Sequence, residues 1–73
     1  MKITAHFKGR PGGKFDRLAH KLMRSHGGEF IGQGTLLKNG RRDVEYDFSG
    51  GRFAKANECI RAMEAAGLKV SHD

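Results

Sequence analysis

The residues best suited to chemistry lie in a short glycine-rich stretch, KGRPGGK, at positions 8–14. Glycine lets backbone N–H groups approach a ligand closely, and a helix N-terminus beside a lysine favours an anion. We therefore predict an anion-binding loop in which Gly12 and Gly13 allow close backbone approach. Its charge comes from three cations: Lys8, Arg10 and Lys14. The alternative interpretation is a surface loop kept soluble by its charge.

Known catalytic patterns do not fit this chain. A nucleotide-binding P-loop requires G-x-x-x-x-G-K-[ST], but the spacing from Gly9 to Gly13 is one residue short and Phe15 replaces the magnesium-binding hydroxyl. The four histidines share no metal-ligand spacing, Cys59 lies in an apolar helical pattern, and no triad or carboxylate pair can be assembled. We expect no metal, no cofactor and no enzymatic activity, with phosphate chemistry in the glycine-rich loop as the alternative.

Charge narrows the classes of partner. Fourteen Lys and Arg against eight Asp and Glu give a net charge of +6, and the pI is near 10.0. Such a balance favours nucleic acid, an acidic protein surface or anionic lipid as the partner. No apolar run approaches the ~20 residues that span a bilayer, so we expect no membrane partner. With one cysteine there is no internal disulfide framework, and we expect a cytoplasmic protein that is a monomer or a weak homodimer.

The elements that must position these residues follow from periodicity. Four segments have the apolar patterns of strands: ITAHF, EFIGQGTLL, DVEYDF and LKV. A hairpin turn is indicated by Asn39-Gly40. Two helices are predicted from apolar residues at helical spacing. The first has Phe15, Leu18, Ala19, Leu22 and Met23; the second has Phe53, Ala56, Cys59, Ile60, Met63 and Ala66.

The order strand, helix, strand, strand, helix, strand predicts an α+β fold. With right-handed crossovers it gives one ferredoxin-like βαββαβ sandwich over residues 1–73, with a four-stranded antiparallel sheet and both helices on one face. In this topology the loop after the first strand and the hairpin turn lie at the same end of the domain.

That placement predicts a cluster of cations, which we call the basic pole. It brings the three loop cations together with three from the hairpin and so holds six of the fourteen cations: Lys8, Arg10, Lys14, Lys38, Arg41 and Arg42. The first helix adds a basic stripe at helical spacing that could extend the track of phosphate contacts: Arg17, Lys21 and Arg24.

The open face of the sheet is predicted to be polar. Lys2, Thr4, His6 and Lys8 should stand beside Asp43, Glu45 and Asp47, while Phe7, Tyr46 and Phe48 face the helices. Three carboxylates would repel a phosphate backbone, so we do not expect bases to stack on this face. The register of the second strand stays open, because Phe30 and Ile31 are both suited to point inward.

These features favour a non-catalytic nucleic-acid-binding module that contacts phosphates through the basic pole. Because we expect no exposed aromatic platform, affinity should exceed sequence specificity. The alternative is a small regulator or inhibitor, of the type that mobile elements encode against nucleic-acid-processing complexes, docking the same pole on an acidic protein surface.

Overall fold

The computed structural model describes residues 1–36, 40–49 and 53–72. Its elements are β1 (Lys2–Lys8), α1 (Lys14–Ser25), β2 (Glu29–Leu36), β3 (Arg41–Asp47), α2 (Phe53–Ala65) and β4 (Lys69–His72). The strands form one antiparallel sheet in the order β2-β3-β1-β4. This arrangement confirms the predicted α+β fold with ferredoxin-like topology.

The two central strands, β1 and β3, alternate between a buried and a polar face. Ile3, Ala5 and Phe7 of β1 join Val44 and the following aromatic residues, Tyr46 and Phe48, in the core beneath the helices. On the other face the register pairs Lys2 with Asp47, Thr4 with Glu45 and His6 with Asp43. The predicted polar face is therefore confirmed, because strand side chains alternate with a period of two.

The helices pack through fewer large residues than the apolar spacing predicts. Small and flexible side chains make the buried faces: Ala19 and Met23 of α1, and Ala56, Cys59 and Met63 of α2. Phe15 and Phe53 are 38% and 58% exposed, so their predicted inward positions are wrong. At 100° per residue they lie about 60° and about 90° from the centres of the buried faces, at the margin of the packed layer.

The end of α2 departs from the prediction in the same way. Ala66, predicted on the apolar face, lies beyond the last residue of the helix and is exposed. Within the ranges that the structure describes, neither helix is long and apolar enough to cross a membrane.

Cys59 has the environment of a core residue. Its side chain is fully buried under the sheet, and burial raises the pKa of the thiol to about 11. The thiol is therefore protonated at neutral pH, whereas a nucleophile or metal ligand must be a thiolate. Cys59 acts as a small hydrophobic side chain, as its place in the apolar pattern indicates.

A β-bulge sets the register of β2. Phe30 pairs with Tyr46 and Gly32 pairs with Glu45, so Ile31 is the extra residue between them. Phe30 faces the helices. The extra residue shifts the alternation after it, so that Gln33 and Thr35 face the helices as well. Phe30 and Ile31 remain 47% and 45% exposed, since β2 is an edge strand.

Candidate functional site

The glycine-rich loop and the β2–β3 hairpin meet at one end of the sheet. The backbone N–H of Gly9 donates to the carbonyl of Gly40 at 3.1 Å, and Lys8 pairs with Arg41 in the sheet register. Of the predicted turn, Lys38 and Asn39 lie outside the described residues, whereas Gly40 has a positive φ of 67°, as a hairpin turn requires.

A shallow depression of about 510 Å³ lies at this end of the domain. Its walls include Phe15 and three cations from three different strands: Lys8, Arg41 and Lys69. Lys69 was not expected at this end of the domain from the sequence. It lies there because β4 is the neighbour of β1, and Lys69 pairs with His6 in the sheet register. Arg10 and Lys14 are exposed in the adjoining loop and at the start of α1.

The glycine amides of the loop are already engaged within the protein. Gly12 N–H donates to Asp16 Oδ2 at 2.8 Å, and Gly13 N–H donates to the carbonyl of Arg10 at 3.0 Å. In this structure the loop therefore uses both amides internally, and anion binding at them stays a prediction. Gly12 has a φ of 75°, which favours glycine, and a Cβ built there would have no neighbour within 4 Å. Close approach of a ligand at Gly12 thus stays a prediction.

Arg42 is buried, and its predicted place in the solvent-facing basic pole is wrong. Only 3% of its surface is exposed. Its Nε and Nη2 donate to Asp16 Oδ1 at 3.1 and 3.0 Å, Nη2 also donates to Gln33 Oε1 at 2.9 Å, and Nη1 donates to Thr35 Oγ1. The physical reason is strand alternation, since Arg42 precedes Val44 by two residues and so faces the helices.

Asp16 connects the loop to this buried arginine. It is 6% exposed, and its two carboxylate oxygens accept from Gly12 and from Arg42. Burial alone would raise the pKa of Asp16, but the hydrogen bonds from Gly12 and Arg42, with the charges of Arg42 and His20, together lower it below 3.8. A carboxylate at the third position of a helix often reaches back to the preceding turn, and this signal was open to sequence analysis.

The lowered pKa predicts an acid-dependent loss of stability. Because the carboxylate is favoured in the folded protein, its contribution is complete above the ordinary Asp value and is lost as the pH falls through the lower folded pKa. We expect the free energy of unfolding of the parent to fall toward that of Asp16→Asn as the pH falls below the ordinary Asp value of about 4. Urea unfolding at several pH values measures this, and a constant difference between the two proteins would contradict it.

The charged residues on the exposed face of α1 are all basic. Lys14, Arg17, Lys21 and Arg24 are exposed and fall within an arc of about 80° at 100° per residue. Three of them line a shallow groove of about 660 Å³ together with His20 and Ser25. The one acidic residue of α1 is Asp16, which is turned inward and paired with Arg42. We call these four cations the α1 stripe.

The open face of the sheet carries both signs of charge, and its carboxylates lie together over β2 and β3. Over β2 and β3 it forms a depression of about 360 Å³ where Gly32 and Gly34 leave space beside Asp43 and Glu45. Carboxylates beside bare backbone repel phosphate, so this depression does not favour an anionic ligand.

Three polar side chains form a row across the open face, which we call the polar row. His6 Nδ1 lies 2.6 Å from Asp43 Oδ1, and His6 Nε2 lies 2.8 Å from Ser71 Oγ. Sequence analysis found no triad, but this order of carboxylate, imidazole and hydroxyl is that of nucleophilic triads. It was hidden because the three residues come from three strands.

The surroundings of the polar row favour a structural role. Acyl transfer needs donors aimed at a developing oxyanion, whereas the depression beside Ser71 is lined by Glu45 as well as by Lys2 and Thr4. A row that ties the short edge strand β4 to β1 and β3 explains the contacts without catalysis.

We expect Ser71→Ala to hydrolyse p-nitrophenyl acetate at the same rate as the parent, because we interpret the polar row as a link between strands. A burst of nitrophenolate in the parent that disappears in Ser71→Ala would contradict this interpretation and indicate an acyl-serine intermediate.

Comparisons of this chain with protein-family models, with curated proteins and with solved structures find no match. The fold is therefore assigned from its strand order and connections. Function has to be argued from the residues of the site, since a fold alone does not define it.

Proposed function

We propose that this protein is a small, non-catalytic nucleic-acid-binding module that contacts the phosphate backbone. The observation that supports it is the α1 stripe, where four cations face solvent while the only acid of the helix is buried against Arg42. A buried and neutralised carboxylate does not repel phosphate from the helix surface. The positive field of this face is therefore uninterrupted along α1.

The dimensions of the stripe suit a polynucleotide better than a single phosphate group. From Lys14 to Arg24 the helix rises about 15 Å at 1.5 Å per residue. This length is greater than one phosphate group and can contact several phosphates of one strand. Four cations over that distance can pair with successive phosphates.

The proposed surface differs from the basic pole expected from the sequence. Lys8, Arg10 and Arg41 remain candidate contacts at the end of the stripe, with Lys69 added beside them. Arg42 instead positions the loop through Asp16 and Gly12. The main contacts therefore move from the hairpin to α1.

The first test is direct binding of a fluorescently labelled oligonucleotide, followed by anisotropy at several salt concentrations. We expect binding to many sequences, with an affinity that falls steeply as salt rises, since counterions are released from each neutralised phosphate. A pull-down from native lysate should lose its captured material after nuclease treatment.

The contrary result would favour the protein-partner alternative. If the parent does not bind oligonucleotides at about 100 mM salt and captures one protein regardless of nuclease, the proposal fails. The same basic surface would then dock on an acidic protein.

A further inference from the structure

Phe30 is an aromatic side chain held in place but open to solvent. Its ring centroid lies 5.5 Å from that of Tyr46 and 5.6 Å from that of His20, yet the residue is 47% exposed. His20 is itself fixed, since its Nδ1 lies 2.7 Å from the hydroxyl of Tyr46. The expectation of no exposed aromatic platform concerns the open face of the sheet, and Phe30 lies on the opposite side.

This aromatic residue adjoins the α1 stripe. His20, in ring contact with Phe30, lines the same groove as Arg17, Lys21 and Arg24. A positively charged track beside an aromatic ring is the combination by which proteins bind single strands, because phosphates follow the cations while bases stack on the ring.

We infer that Phe30 stacks against an unpaired base of a single strand whose phosphates lie along the α1 stripe. The inference rests on the proposed function and specifies its ligand. A duplex would gain little from Phe30, since its bases are stacked on each other within the helix. Phe30 is suited to this role because its contacts with His20 and Tyr46 fix the ring before binding.

Tryptophan provides a selective probe, because the chain contains none. Phe30→Trp places the only tryptophan at the proposed stacking site, and Phe53→Trp places it at an exposed phenylalanine on α2 as the matched control. Each variant is titrated with a fifteen-nucleotide oligothymidine and with a duplex of the same length. We expect oligothymidine to quench the emission of Phe30→Trp strongly and that of Phe53→Trp little.

Affinity gives the second readout. Phe30→Leu keeps an apolar contact with Tyr46 but has no aromatic face, so we expect it to bind oligothymidine roughly tenfold more weakly than the parent. Its affinity for the duplex should change less than about twofold, and Phe53→Leu should bind both ligands as the parent does. Thermal unfolding of both leucine variants checks that they are folded.

The outcomes separate this inference from the function on which it rests. If the parent binds oligonucleotides but Phe30 variants show neither quenching nor selective loss, the stacking inference fails and the phosphate-binding function stands. If the parent binds neither ligand, both fail. Concentration-dependent dimerisation in sedimentation that Phe30→Leu abolishes would also overturn it, because a second copy of the chain would then cover the site.

Discussion

Replacing Arg42 with methionine lowers the free energy of unfolding by about 3 to 5 kcal/mol, because it leaves the buried carboxylate of Asp16 without its partner. Small domains have about 5 to 15 kcal/mol in total, so the variant should be close to unfolding at room temperature. Urea denaturation measures the change. The matched control is Arg41→Met, one residue away on the same strand but exposed, which should lower the free energy of unfolding much less than Arg42→Met does.

A double-mutant cycle tests whether the effect belongs to the pair. With Asp16→Asn and Arg42→Met combined, no charge is left buried alone, so the double variant should lose less stability than the two single variants added together. Equal losses in Arg41→Met and Arg42→Met would contradict the buried pair. Additive losses in the cycle would show that Arg42 acts by packing or through its contacts with Gln33 and Thr35.

The fold could be predicted because it depends on local patterns that agree with each other. The alternation in ITAHF and DVEYDF set the faces of the two central strands, and the element order left few topologies. The register of β2 could not be predicted, since a bulge at Ile31 adds one residue and both Phe30 and Ile31 fit the apolar pattern.

The position of Arg42 was predicted wrongly because the residue is charged. Its alternation with Val44 and Tyr46 already indicated the buried face, but an arginine beside a hairpin was interpreted as a surface cation. What makes its burial favourable is Asp16, which is 26 positions away in the chain. A buried ion pair between distant segments leaves no local pattern, so only the structure brings the two residues together.

At the candidate site, the exposure of the cations could be predicted from the sequence, but the hydrogen bonds of the backbone amides could not. The cations of the loop and of α1 are exposed as expected, whereas the glycine amides donate to Asp16 and to the carbonyls of Arg10 and Gly40. Backbone donors in a folded protein are nearly all satisfied, and a short loop can meet that need internally. The glycines therefore predicted that the loop turns, but they did not predict which acceptors its backbone amides bind.

The remaining prediction tests whether oligonucleotide binding depends on the α1 stripe or only on the net charge of the protein. Arg17→Gln with Lys21→Gln removes two charges from the stripe, and Lys55→Gln with Arg61→Gln removes two from the exposed face of α2, so both variants fall from +6 to +4. If the stripe contacts phosphates, two charge-assisted hydrogen bonds are lost only in the first variant. At about 1.5 kcal/mol each, its oligonucleotide affinity should fall on the order of 100-fold.

The salt dependence of oligonucleotide binding then measures how many phosphate contacts each variant has lost. For a single strand the slope of log K against log salt should flatten by about 0.7 per lost phosphate contact, hence by about 1.4 in the α1 variant and little in the α2 variant. Thermal unfolding must first show that both variants are folded like the parent. Equal losses of affinity and slope in the two variants would mean diffuse attraction to a basic protein, because removing the same charge anywhere would then have the same effect.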